Sequence, residues 1–297
     1  MIGIKLCITI FAKKIVMQTF INYSSTINDL SLRVDELVAK GLQKVDKQVM
    51  LKKILSFIDL TTLSGDDTIK KVSDLCLKST SYKDDKVGLS NVAAVCVYPV
   101  FANLVSKLLD GVDVNVACVA GAFPSGQSPL AIRVMEVEDA VANGADEIDM
   151  VISRGKLIEG NIDYIFEEVK AIKAACGDAH LKVILETGEL KTVELIRQAS
   201  EISILAGADF IKTSTGKINP AATPEAFLIM LDTIKEYYEK TGIMIGIKPA
   251  GGISTPDEAI VYYLLVLGVL GDNWLTNKYF RMGASRLADN VYNDIEK

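Results

Sequence analysis

Eight short β-rich runs, each followed by a stretch with helical apolar spacing, are the feature that most narrows what this chain can fold into. They lie at residues 57–60, 93–97, 114–119, 147–151, 181–186, 209–212, 244–248 and 279–282. Most recur at roughly 30 to 36 residues, the length of one strand-helix unit. Strand-helix alternation predicts a parallel sheet, and eight units predict its closure into an α/β fold of the TIM type, a (β/α)8 barrel. The 297 residues suit such a barrel, which needs about 250, with some chain left over. Residues 29–40 and 44–55 carry helical spacing ahead of the first strand and predict extra N-terminal helices. No linker divides the chain, so 29–297 reads as one domain and 1–28 as an N-terminal extension.

Punctuation between the runs agrees. Thr255-Pro256-Asp257-Glu258, Thr223-Pro224-Glu225 and Ser128-Pro129 have the grammar of helix starts, a hydroxyl cap followed by proline. Gly144-Ala145-Asp146 and Gly207-Ala208-Asp209 each close a helical pattern and open a strand, where glycine suits the position just past a helix end. The run 259–270, with Tyr262, Tyr263, Leu264, Leu265 and Leu267, is too apolar for a helix with a solvated face and too short for a membrane span. It is expected to meet either another subunit, making a homo-oligomer, or the N-terminal extension.

Composition excludes several functions. A net charge of −6, from 32 basic and 38 acidic residues, argues against a nucleic-acid partner. One histidine, His180, removes His-based metal sites and a Ser-His-Asp triad, so no metal and no cofactor are expected. The five cysteines (Cys7, Cys76, Cys96, Cys118 and Cys176) are scattered and form no C-x-x-C pair, the usage of a reduced cytoplasmic protein. The N-terminal stretch is apolar but broken by Lys5, Lys13 and Lys14, and lacks a signal-peptide cleavage pattern, so neither secretion nor a membrane is expected.

The strands themselves carry the chemistry. Inward positions of a barrel strand should be branched and apolar. Asp59, Asp149, Lys182, Lys212 and Lys248 break that rule on five strands. Lone buried charges are unfavourable, so a mixed-sign cluster at the C-terminal mouth is expected. Neighbouring lysines should lower each other's proton affinity, and a neutral lysine attacks carbonyl carbon to form a Schiff base, with an aspartate nearby to move protons. The loops after the last three strands add glycines, hydroxyls and a lysine: Thr213-Ser214-Thr215-Gly216-Lys217, Pro249-Ala250-Gly251-Gly252 and Gly283-Ala284-Ser285. Exposed backbone N–H groups there make a phosphate cradle.

These segments resemble one family. Asp59-Leu60-Thr61-Thr62-Leu63, Val95-Cys96-Val97-Tyr98-Pro99, Glu147-Ile148-Asp149, Lys182-Val183-Ile184-Leu185-Glu186-Thr187-Gly188, Phe210-Ile211-Lys212-Thr213-Ser214-Thr215-Gly216-Lys217, Lys248-Pro249-Ala250-Gly251-Gly252 and Phe280-Arg281-Met282-Gly283-Ala284-Ser285 occur in the order of the deoxyribose-phosphate aldolases. The resemblance implies a class I aldolase, a carbon–carbon lyase that reversibly cleaves 2-deoxy-D-ribose 5-phosphate to acetaldehyde and D-glyceraldehyde 3-phosphate. It implies Lys212 as the Schiff-base lysine, Asp149 and Lys248 as the proton-handling pair, and Asp59 and Lys182 as support. Gly216, Lys217, Gly251, Gly252, Gly283 and Ser285 match the phosphate loops. The chain departs from the family where Arg286, not a second serine, follows Ser285; the arginine either adds a phosphate contact or points away. The role of a terminal tyrosine in some members does not transfer to Tyr292. Apart from the resemblance, the residues also admit a Schiff-base lyase with another donor, or a sugar-phosphate binder without turnover.

Overall fold

The computed structural model describes residues 20–295; the expectations for the first 19 residues and for Cys7 lie outside them. Eight strands form one parallel sheet in the order β7-β6-β5-β4-β3-β2-β1-β8. They are β1 (Ile58–Thr61), β2 (Ala94–Val97), β3 (Asn115–Ala120), β4 (Glu147–Val151), β5 (His180–Ile184), β6 (Phe210–Lys212), β7 (Gly246–Lys248) and β8 (Met282–Ala284). Parallel bridges Ile247↔Phe280 and Ala250↔Gly283 join β7 to the β8 segment and close the barrel.

Alternation divides the strands into two faces. Val95, Val97, Val116, Cys118, Ile148, Met150 and Val183 join the main apolar core under the surrounding helices. Between them, Ala94, Cys96, Ala117 and Val119 form a small separate cluster inside the barrel. The remaining interior is charged: Asp59, Glu147, Asp149, Lys182, Lys212, Lys248 and Arg281 are all buried.

Most strand boundaries fall within two residues of expectation, and three differences have a local cause. β5 stops at Ile184 because Glu186 lies in the left-handed region, φ 59°, where no strand continues. The last strand is Met282–Ala284 rather than 279–282, because pairing with β1 sets Met282 against Ile58 while Phe280 N–H turns back to Thr276. The helix after Ser128-Pro129 is Leu130–Ala142, with Pro129 itself at the cap and no side-chain cap bond, so Ser128 is not its N-cap. Thr223 and Thr255 do cap their helices, Pro224–Thr241 and Pro256–Val269, each accepting a backbone N–H. Gly144 and Gly207 have φ of 97° and 101°, the positive values the joints required.

The apolar stretch is covered from within the chain. Helix Ile27–Leu42, capped by Thr26 and Asp29, lies against helix Pro256–Val269 and buries Leu264. The helices approach closely because both carry glycine at the crossing. A Cβ on Gly41 would meet Leu264 Cδ2 at 2.7 Å, and one on Gly268 would meet Leu37 Cδ2 at 2.8 Å. The covering helix lies almost wholly in the 29–40 segment expected as an extra N-terminal helix, beyond the 1–28 extension. Among the described residues no helix is long and apolar enough to cross a membrane.

Candidate active site

Parallel register brings the polar strand residues into pairs, Asp149 beside Lys182 and Lys212 beside Lys248. Asp149 is the hub. Its Oδ2 accepts from Lys212 Nζ at 2.7 Å and from Lys248 Nζ at 2.8 Å, and its Oδ1 accepts from Lys182 Nζ at 2.9 Å. Lys248 also donates to Asp59, and Lys182 to Glu147. Arg281 spans the far side, reaching Asp59 Oδ1 at 2.8 Å and Glu147 Oε1 at 2.7 Å. All five residues expected to cluster therefore do so.

The set contains three acids and four bases, all buried. Burial alone would raise the carboxyl of Asp149, but Lys182, Lys212 and Lys248 outweigh it and hold the group well below its usual range. Asp59 and Glu147 are likewise lowered against burial, by Lys248 and Arg281 in the first case and Lys182 and Arg281 in the second. The lysines do not behave alike. Burial lowers the proton affinity of Lys212; Asp149 opposes this, and Lys248 adds to the lowering. Burial is overcome at Lys248, which bonds both Asp149 and Asp59 and is raised. Lys182 is raised too, by Asp149 and Glu147. The expected mutual depression is seen at Lys212, which Lys248 helps to lower, and is reversed at Lys248, where two carboxylate partners outweigh it. If Lys212 is neutral, the buried set has three charges of each sign.

Lys212 opens onto a cavity of about 560 Å³. Gly216, Lys217, Gly251, Gly252, Gly283 and Ser285, the six residues expected at a phosphate site, all line it. Two glycines let the loops meet: Gly251 has φ 79°, and a Cβ there would lie 3.0 Å from Gly216 Cα and 2.7 Å from Ala221 Cβ. Lys217 is held in place, its ammonium donating to the Leu63 carbonyl. Lys71, also on the wall, pairs with Asp67 at 2.6 Å. Arg286 lines the same cavity and, among the described residues, has no acid within ion-pair distance. It stands at the pocket rather than away from it.

Sequence reasoning passed over Glu147, Arg281 and Glu186. Glu147 lies two residues before Asp149 on one strand, so period 2 already assigned both to one face. Arg281 stood in a run taken as the eighth strand. Glu186 is buried, and its carboxylate accepts from Thr215 N–H at 3.1 Å and Thr215 Oγ1 at 2.5 Å. Its left-handed backbone left no readable mark.

Known proteins share the fold and much of the sequence. Residues 53–262 match the model of the DeoC/LacD family of aldolases. A Caenorhabditis elegans relative is 48% identical over 256 residues, covering 86% of this chain and 83% of that one. The human deoxyribose-phosphate aldolase is 42% identical over 274 residues, covering 89% and 86%. Among solved structures, the tetrameric deoxyribose phosphate aldolase of Aeropyrum pernix superimposes with a TM-score of 0.67 at 24% identity over 88% of this chain and 97% of that one, a likeness of fold. The chain, with its parallel barrel and buried lysine-aspartate hub, belongs to the DeoC/LacD family of aldolases.

Proposed function

We propose that the chain cleaves 2-deoxy-D-ribose 5-phosphate reversibly to acetaldehyde and D-glyceraldehyde 3-phosphate, with Lys212 as the nucleophile. The observation that carries this reading is a buried amine of lowered proton affinity that opens onto a glycine-lined cavity and shares one carboxylate oxygen with a second, charged lysine. The phosphate binds among Gly216, Lys217, Gly251, Gly252, Gly283 and Ser285, with Arg286 as the cation free to pair with it.

Neutral Lys212 adds to the C1 aldehyde of the open-chain sugar, and loss of water leaves an iminium. The iminium draws the electrons of the C2–C3 bond as the C3 hydroxyl gives up its proton, so glyceraldehyde 3-phosphate leaves and an enamine remains. Asp149, ionised, accepts protons, and Lys248, charged, returns one through water to C2; hydrolysis then frees acetaldehyde. Asp59 and Lys182 keep that pair fixed and charged.

Borohydride reduction in the presence of acetaldehyde tests the reading. A stable adduct should map to Lys212 and disappear in Lys212→Met, which should fold and lose turnover. Label on another lysine, or none, overturns the assignment. A substrate panel checks the donor: preference for dihydroxyacetone phosphate or pyruvate over acetaldehyde would refute the proposed substrate.

A further inference from the structure

We infer that Glu147 and Arg281, which touch neither the cavity nor Lys212, are positioning residues that set the charge carried by Lys212. The inference rests on the reading of Lys212 as the imine-forming amine, and its test separates the two.

The connectivity is the starting point. Arg281 sits behind the hub, with Nη1 2.8 Å from Asp59 Oδ1 and Nη2 2.7 Å from Glu147 Oε1. Asp59 binds Lys248 and Glu147 binds Lys182, and both lysines end on Asp149, which holds Lys212. Two ionic chains therefore run from Arg281 to Asp149, one through Asp59 and Lys248, the other through Glu147 and Lys182. Neither outer residue lines the cavity. Beneath Lys212 on the same strand, the Phe210 ring lies under the Arg281 guanidinium, 6.0 Å from its centroid.

Charge counting then assigns the role. The groups acting on Lys212 are Asp149 from β4, Lys248 from β7 and the buried thiol of Cys96 from β2, with Lys182 of β5 and Asp59 of β1 behind them. Without Lys212, the frame holds Asp59, Glu147 and Asp149 against Lys182, Lys248 and Arg281, a neutral set. A proton on Lys212 gives the water-poor interior a net positive charge, so the neutral amine is favoured. Removing one outer charge breaks the balance with a chosen sign. Glu147→Gln leaves the frame positive and makes Lys212 harder to protonate. Arg281→Gln leaves it negative and holds the proton on Lys212.

The test follows the pH dependence of borohydride trapping of acetaldehyde at Lys212. The acidic limb should move down by about one pH unit in Glu147→Gln and up by about one in Arg281→Gln, the size of one unit charge acting through the protein interior. Arg281→Lys should keep the parent position. The double variant Glu147→Gln/Arg281→Gln restores the balance and should return the limb to within a few tenths of a unit of the parent, which also covers the case in which Arg281→Gln alone fails to fold. A merely structural role changes stability or amplitude and leaves the limb where it was. Unmoved limbs, or single variants shifting in the same direction, overturn the inference while leaving the adduct at Lys212 intact. An adduct absent from Lys212 in the parent overturns the functional reading together with it.

Discussion

Glu186→Gly isolates a contact that holds the loop after Lys212. Glu186 has φ 59° and ψ 60°, a conformation that disfavours side chains by roughly 1 to 2 kcal/mol and suits glycine. Its buried carboxylate accepts both the backbone N–H and the hydroxyl of Thr215, while Arg154 Nη1 stands 3.6 Å away. The Thr215 hydroxyl in turn accepts from the Lys217 N–H at 3.1 Å, so one carboxylate sets the shape of Thr215-Gly216-Lys217 on the cavity wall. Glycine relieves the backbone and deletes the acceptor, so any loss belongs to the side chain.

Two hydrogen bonds to a charged acceptor contribute about 1.5 to 3 kcal/mol each, and strain relief returns part of that, leaving a net destabilisation of roughly 2 to 4 kcal/mol. Thermal unfolding should fall by about 5 to 10 °C. In steady-state assays, kcat/KM for the phosphorylated sugar should drop roughly 10- to 100-fold, mostly through KM, because the loop proposed to meet the phosphate has lost its anchor. With unphosphorylated 2-deoxyribose, kcat/KM should change by about twofold or less, since Lys212 keeps Asp149 and Lys248. Equal losses on both substrates would refute the reasoning, and so would a variant of parental stability with an unchanged KM.

Two more outcomes follow from the same geometry. Arg286→Ala should raise KM for the phosphorylated sugar about tenfold and leave the unphosphorylated sugar unaffected, because Arg286 lines the cavity with no acid partner among the described residues; equal KM values at low ionic strength would refute this. Gly246→Ala would put a Cβ 2.4 Å from the Phe210 ring, and should lower stability by about 1 to 3 kcal/mol in denaturant titration; an unshifted midpoint would show that the ring can move aside.

The barrel was legible because its signal is repeated: eight runs at similar spacing, several of them flanked by a helix start or a glycine joint. The lysines and aspartates were legible because strand interiors of this fold should be apolar, so each charge stood out. What stayed hidden depends on partners rather than on residue type. Lys212 and Lys248 look alike in sequence, and their proton affinities part where Lys248 also reaches Asp59. Arg281 lies just before β8, and its place behind the hub depends on β8 pairing with β1 rather than on any local pattern. The apolar run at 259–270 announced a cover but not its source, because helix Ile27–Leu42 is remote in sequence and meets it through Gly41 and Gly268.

The charged interior also explains side chains that look unremarkable. Lysine stems are long, and four cations entering one barrel need space that branched layers would fill. That space comes from small residues on the other strands: Ala94 and Cys96 on β2, Ala117 on β3 and Gly283 on β8. A Cβ on Gly283 would lie 3.1 Å from Lys248 Cε, so even alanine there would press on the lysine stem. The arrangement makes little sense as a device for stability, since well-packed apolar residues in place of buried ion pairs are often as stable or more so. It makes sense as a way of lowering the proton affinity of one amine beside another whose affinity is raised. An apolar barrel would hold neither amine, and a wet one would leave both near the usual lysine value.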